Sequence, residues 1–241
     1  MTIAIISDIH GNLPALEAVL DDLAKRPHDQ TYCLGDLVGY GASPNEVVDR
    51  IRTEGFPTII GNYDDGVGFD RDDCGCAYRD EGEKARGQES LMWTRATTTP
   101  ENKSFLRELV SEIRFEAEGK RILLVHGSPR KMNEYLFEDR ALSSFQRLAA
   151  SSNADIIVFG HTHKPYVKEV DGVRFVNAGS VGKPKDGDWR ACYVLLSPDP
   201  ATQVQFIRVE YDIERAMAAI RATNELPTEF AEDLKQSKVS A

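Results

Sequence analysis

The sequence predicts an α/β protein in which two packed β-sheets are flanked by helices. Three features carry that expectation: a strand–helix–strand–helix opening, a later series of hairpins, and short apolar runs that stop at Gly, Asp, Asn or His. With 241 residues and 41% apolar content the chain can bury a full core, and a single domain over residues 1–241 is expected.

The first element is the β-branched run Thr2 to Ile6, followed by a helix whose Leu13, Leu16, Leu20 and Leu23 recur at near-helical spacing. The loop between them holds Asp8, His10, Gly11 and Asn12, at the carboxyl edge where a parallel sheet opens to ligands. Tyr32 to Leu34 forms the second strand, and Ser43-Pro44-Asn45-Glu46 has the pattern of a capping box with proline in the first turn. Val47, Val48 and Ile51 form the buried stripe of that helix, which Gly55 stops.

Thr58 to Ile60 is expected as a third strand, and Tyr63 to Arg79, rich in Gly and Asp without apolar periodicity, as a long loop. Helices follow at Glu81 to Trp93 and Glu101 to Val110. Ile113 to Glu116 then pairs through Gly119-Lys120 with Ile122 to Val125, ending at His126. A helix near Leu142 to Ala150 precedes the strand Ile156 to Phe159. Tyr166 to Val170 turns at Asp171-Gly172 into Val173 to Val176, and strands near Ala191 to Leu196 and Val204 to Tyr211 lead to a last helix. The polar end from about Lys235, residues 235–241, is the stretch expected to be disordered.

The formal charge of −10 excludes a basic nucleic-acid footprint, so no stable nucleic-acid complex is expected. No apolar run approaches the roughly 20 residues that span a bilayer, and no basic leader precedes the first strand. A cytoplasmic protein without a membrane partner is the expectation. Cys33, Cys74, Cys76 and Cys192 have no zinc-finger spacing and are expected as free thiols; Cys74-Gly75-Cys76 lacks the two-residue spacer of a redox or zinc pair. The oligomeric state is not legible.

The chemistry lies at the strand ends. Asp8, His10, Asp36, Asn62, His126, His161 and His163 all follow short apolar runs. Seven nitrogen and oxygen donors are too many for one tetrahedral zinc and suit two divalent cations roughly 3.5–4 Å apart that share a carboxylate. A donor set without thiolate favours Mn, Fe, Zn or Ni over an oxygen-only Mg or Ca site. His28, in Arg26-Pro27-His28-Asp29, is read as an ordinary surface histidine.

At these positions the chain resembles the calcineurin-like metallophosphoesterases. The pattern reads Asp8-Ile9-His10, Gly35-Asp36-Leu37-Val38-Gly39, Gly61-Asn62-Tyr63-Asp64, His126 and Gly160-His161-Thr162-His163, and Asn177-Ala178-Gly179-Ser180-Val181-Gly182 resembles the loop of the small bacterial and archaeal phosphodiesterase branch. The resemblance implies a four-layer αββα sandwich. It places Asp8, His10 and His163 on a first metal, Asn62, His126 and His161 on a second, with Asp36 bridging. It also implies in-line attack on phosphorus by a metal-bridging hydroxide, on a small-molecule phosphoester and most simply a phosphodiester. The alternatives are a phosphomonoesterase or phosphoprotein phosphatase, and a noncatalytic metal-binding scaffold of the same fold.

One position departs from the pattern. Tyr63 stands where many members of the family carry a leaving-group histidine, and a phenol with an ordinary pKa near 10 is poorly matched to proton transfer at neutral pH. Tyr63 is retained as a candidate catalytic residue, and diesters with good leaving groups are the expected substrates. Gly179, Ser180 and Arg130 are candidate substrate contacts, and Lys183 and Lys185 could add charge for a phosphate. The acidic cluster Asp64, Asp65, Asp70, Asp72 and Asp73 is read as a solvated loop, and Asp65 to Arg79 as a possible lid.

Overall fold

The computed structural model describes residues 1–78, 80–199 and 201–236. Strand β1 (Ile3–Ile6) pairs in parallel with β2 (Gln30–Cys33), the crossover being helix α1 (Leu13–Leu23). On its other side β1 meets β8 (Ala191–Ser197), antiparallel, and β8 meets β9 (Gln203–Val209), so the first sheet has the order β2-β1-β8-β9. The second sheet, β3-β4-β5-β7-β6, comprises β3 (Glu112–Ala117), β4 (Lys120–Val125), β5 (Ile156–Phe159), β7 (Val173–Asn177) and β6 (Tyr166–Val170). Both sheets mix parallel and antiparallel pairs.

The period of two along each strand builds the layers. Ile3 and Ile5 of β1 face Ile122 and Leu124 of β4, Val158 of β5 and Val194 of β8 in a core between the sheets. Ala4 and Ile6 point the other way, onto Leu16, Val19 and Leu20 of α1, Val48 and Ile51 of α2 (Pro44–Glu54), and Met217 of α7 (Ile213–Ala222). Leu123 and Val125 face out of the second sheet onto Phe145 and Leu148 of α6 (Leu142–Ser152). The product is the expected αββα sandwich. Strands buried on both faces explain why their sequences read as unbroken apolar runs.

Local chemistry sets the helix ends. Asn12 caps α1 by accepting from Ala15 N at 3.2 Å, and Gly55 ends α2 in the left-handed region at φ 68°. The capping box expected at Ser43 does not form: the Ser43 N–H is already committed to Gly11 O at 3.0 Å, so Glu46 has no donor to receive. Thr58 to Ile60 is paired only through the single bridges Cys33–Thr58 and Ile59–Val110, because the chain turns at once into α3 (Asn62–Gly68).

Helix α3 replaces the first part of the expected long loop. Its glycines conceal it from propensity, yet Gly66 and Gly68 are where Leu91 of α4 (Glu81–Thr97) and Leu106 of α5 (Pro100–Glu108) come close. A further helix, α8 (Glu229–Gln236), buries Phe230, Ala231 and Leu234 against the α1–α7 layer. Lys235 and Gln236 are therefore helical, and the rest of the tail expected to be disordered lies outside the described residues, as does Arg79. Among the described residues no helix is long and apolar enough to cross a membrane.

Candidate metal centre

Five chain segments converge at one edge of the sandwich. Asp8 and His10 follow β1, Asp36 follows β2, Asn62 opens α3, His126 follows β4, and His161 and His163 follow β5. The backbone there is unusual: Asp8 (φ 53°), His10 (51°), Asp36 (52°), His161 (64°) and His163 (59°) all occupy the left-handed region. A non-glycine residue pays for that conformation, and its concentration in one place is typical of functional sites. Cross-loop bonds hold it, Asp8 N to Gly35 O at 3.0 Å, His10 N to Asp36 O at 2.9 Å and Gly160 N to His126 O at 2.8 Å.

The side chains form two buried groups. Asp8, His10 and His163 make one and Asp36, His126 and His161 the other, the donor atoms within each lying within 4.8 Å of one another. Asp36 stands between them, with Oδ2 at 3.6 Å from His10 Nε2 and 3.4 Å from His126 Nε2, while Oδ1 accepts from Tyr63 N at 2.8 Å. Asn62 Oδ1 lies 3.1 Å from His126 Nε2, which brings the seventh expected donor into the second group.

Three imidazoles are fixed by backbone carbonyls. Nδ1 of His10 donates to Val38 O at 3.0 Å, that of His126 to Leu34 O at 2.7 Å and that of His163 to Lys183 O at 2.6 Å. Carbonyls only accept, so Nδ1 holds a proton and Nε2 is turned inward, the arrangement by which outer partners orient metal-binding histidines. Burial pushes His10 and His161 down to about 3 and lowers His163 as well. At His126 burial also opposes charge, but Asp36 and Asp8 outweigh it and raise the imidazole to about 10.

The donors fit divalent cations. Asp8 Oδ1 and His161 Nε2 are buried without a hydrogen-bond partner among the described residues. His163 Nε2 lies 3.3 Å from Asp8 Oδ1, but with Nδ1 protonated it has no hydrogen to offer. Orphaned buried acceptors of this kind are costly unless a ligand completes them, and a cation is the ligand that imidazole nitrogen and carboxylate oxygen share.

The remaining expected residues are placed differently. The Tyr63 hydroxyl is enclosed without a hydrogen bond among the described residues, its ring edge-on to His10 at 5.5 Å, and burial with Tyr40 beside it pushes the phenol well above 10. Ser180 is buried, donating to Asp8 O at 2.7 Å and accepting from Lys183 N at 2.8 Å, and Gly179 packs on Cys192 and Pro165; both buttress the first group from behind. Arg130 is ion-paired with Glu134 at the surface. Lys183 and Lys185, together with Arg86, line the cleft beside the donors.

Sequence reasoning missed three supports. Asp64, read with a solvated cluster, is buried and accepts from Leu37 N at 2.9 Å and Gly61 N at 3.0 Å, tying two donor loops together. The signal was available, since it stands at the third position of a helix whose first residue is Asn62. Tyr135 lies against His161 at 4.0 Å between ring centres, and nothing in its neighbourhood of sequence marks it. Cys74 and Cys76, read as loop thiols, brace Asn62: its amide donates to Cys74 O at 3.1 Å and Cys76 Sγ at 3.2 Å.

Comparison with known proteins agrees with this geometry. Residues 1–200 match the model of the calcineurin-like phosphoesterase superfamily domain. An uncharacterized protein of Methanocaldococcus jannaschii is 36% identical, with 96% of each chain covered, and phosphodiesterase YfcE of Escherichia coli is 26% identical over 83% of this chain and 89% of its own. Among solved structures, a metallophosphoesterase from Sphaerobacter thermophilus is 31% identical with a TM-score of 0.77, covering 98% of this chain and 99% of its own. A protein from Pyrococcus horikoshii, 22% identical, shares the fold at a TM-score of 0.85 over 99% of both chains.

Proposed function

The chain belongs to the calcineurin-like phosphoesterase superfamily, and from that premise we propose that it is a dinuclear metal-dependent phosphodiesterase. The observation that supports this most directly is the position of Asp36, whose one carboxylate oxygen lies within 3.6 Å of His10 and 3.4 Å of His126, one histidine from each buried group. Asp8, His10 and His163 would hold one divalent cation, Asn62, His126 and His161 the other, and Asp36 both. When bound, such a pair acidifies water toward neutrality and offsets the charge that builds on phosphoryl oxygens during in-line displacement.

The protein's own part is orientation and exclusion. Carbonyl-anchored imidazoles and left-handed backbone fix the donors before substrate arrives. Tyr63 offers no accessible proton, so a substrate whose leaving group departs unaided is favoured; similarity to phosphodiesterase YfcE points to the diester class. Purified protein loaded with Mn should hydrolyse an aryl phosphodiester faster than an alkyl monoester, with Asp36→Asn inactive. Faster turnover of the alkyl monoester would overturn the reading.

A further inference from the structure

Beside the two donor groups lies a cleft walled by Tyr40, Cys76, Tyr78, Arg86, Lys183 and Lys185, together with Glu83 and Asp233. Its two lysines have different surroundings. Lys183 is matched: its ammonium lies 3.8 Å from Asp233 and over the rings of Tyr40 at 4.6 Å and Phe230 at 5.1 Å. Lys185 is not. Among the described residues its ammonium makes no ion pair or hydrogen bond, although its backbone N–H is tied to His163 O at 3.2 Å. The same wall carries Tyr40, which meets His10 edge-on at 5.0 Å between ring centres, and Cys76, whose Sγ accepts from the Asn62 amide at 3.2 Å, so the cleft adjoins the metal centre.

A half-buried ammonium on the wall of such a cleft, with no protein counter-ion, is a ready partner for an anion. Asp8 and Asp36, the carboxylates of that centre, would be neutralised by bound cations, so they do not serve as its counter-ion in the working protein. We infer that Lys185 is a substrate-binding residue that clamps a non-bridging oxygen of the phosphoryl group, adding a protein-borne positive charge opposite the one supplied by the metals. This rests on the phosphoesterase reading of the site. It also supplies what Ser180 and Arg130, both committed elsewhere, do not. The short tether from His163 O to Lys185 N fixes the lysine's origin relative to the metal donors, so that binding and metal placement are registered by one loop.

The test compares the full, metal-loaded chain with Lys185→Met and Lys185→Arg, using bis(p-nitrophenyl) phosphate for turnover and inorganic phosphate as a binding probe in calorimetry. Loss of one charge-assisted bond should raise KM and the phosphate dissociation constant about ten- to a hundredfold in Lys185→Met, with metal content unchanged. Lys185→Arg should recover most of the binding. The inference is overturned if Lys185→Met binds phosphate within about twofold of the parent, if it loses metal instead, or if the parent binds no phosphate. Phosphate binding that depends on Lys185 in a protein that turns over no phosphoester would uphold the clamp and refute the phosphodiesterase reading, so the two failures are distinguishable.

Discussion

His126 Nε2 lies 3.4 Å from Asp36 Oδ2, and this contact makes His126 the one candidate metal-donor histidine that carries a charge at neutral pH in the metal-free protein. Its folded pKa, about 10, lies above the ordinary histidine value, so its contribution to stability is full below about pH 6.5 and is lost as pH rises through 10. Metal-free protein should therefore be less stable at pH 10 than at pH 7.

The same proton must leave when a cation binds, since only the neutral imidazole coordinates. At pH 6 the other three histidines are already neutral or pushed that way by burial, and a metal-activated water would still be protonated. Calorimetry of Mn binding at pH 6 in buffers of different ionisation enthalpy should report release of about one proton per protein. Heats independent of the buffer would show that His126 is neutral beforehand.

Gly160 precedes His161 and lies directly against Asp8. A Cβ there would fall inside contact distance of Ser7 Oγ and Asp8 Oδ2, in a segment where the hydrogen bond from Ser7 Oγ to Asp8 Oδ2 (2.5 Å) and that from His161 N (3.1 Å) leave no slack. Gly160→Ala should therefore disturb the group of Asp8, His10 and His163 and spare that of Asp36, His126 and His161. If the parent takes up two metals as proposed, elemental analysis should find about one in the variant, with the fold retained by circular dichroism. Undiminished metal content would mean that the loop relaxes around the methyl group.

How far the sequence carried these conclusions differs by element. Strand runs such as Ile3 to Ile6 and Ile156 to Phe159 were legible because they are buried on both faces, and the seven candidate donors stood out because they follow short apolar runs of this kind. Helix α3 was not legible: its two glycines are set by the close approach of α4 and α5, which no local propensity records. Substrate contacts were legible least. Gly179 and Ser180 sit in the loop the pattern singles out, but whether a hydroxyl faces a cleft or supports Asp8 O is decided by packing 172 residues away in sequence.

Helix α6 packs on the outer face of the second sheet. Phe145 is fully buried there, edge-on to Phe175 at 5.1 Å between ring centres. Phe145→Ala should cost about 3–5 kcal/mol in denaturant unfolding, the sum of lost transfer energy and the cavity left behind. Because α6 lies on the face away from the metal donors, KM for an aryl diester should stay unchanged at temperatures where the variant is folded. A stability loss under about 1 kcal/mol would mean that Leu148 and neighbouring side chains close the gap.

Tyr63 separates a positional role from a chemical one. Its ring fits against Gly39 and between Tyr40 and His10, and its hydroxyl is enclosed without a partner among the described residues, so removing the oxygen should cost little. Tyr63→Phe should keep aryl diester turnover within about threefold of the parent, since no proton transfer is lost. Tyr63→His, by contrast, replaces the phenol with an imidazole, whose ordinary pKa lies far closer to neutrality, and should raise turnover of esters with poor leaving groups by about tenfold or more. A tenfold loss in Tyr63→Phe would give the phenol a part in proton transfer. No gain in Tyr63→His would show that this position does not address the leaving group.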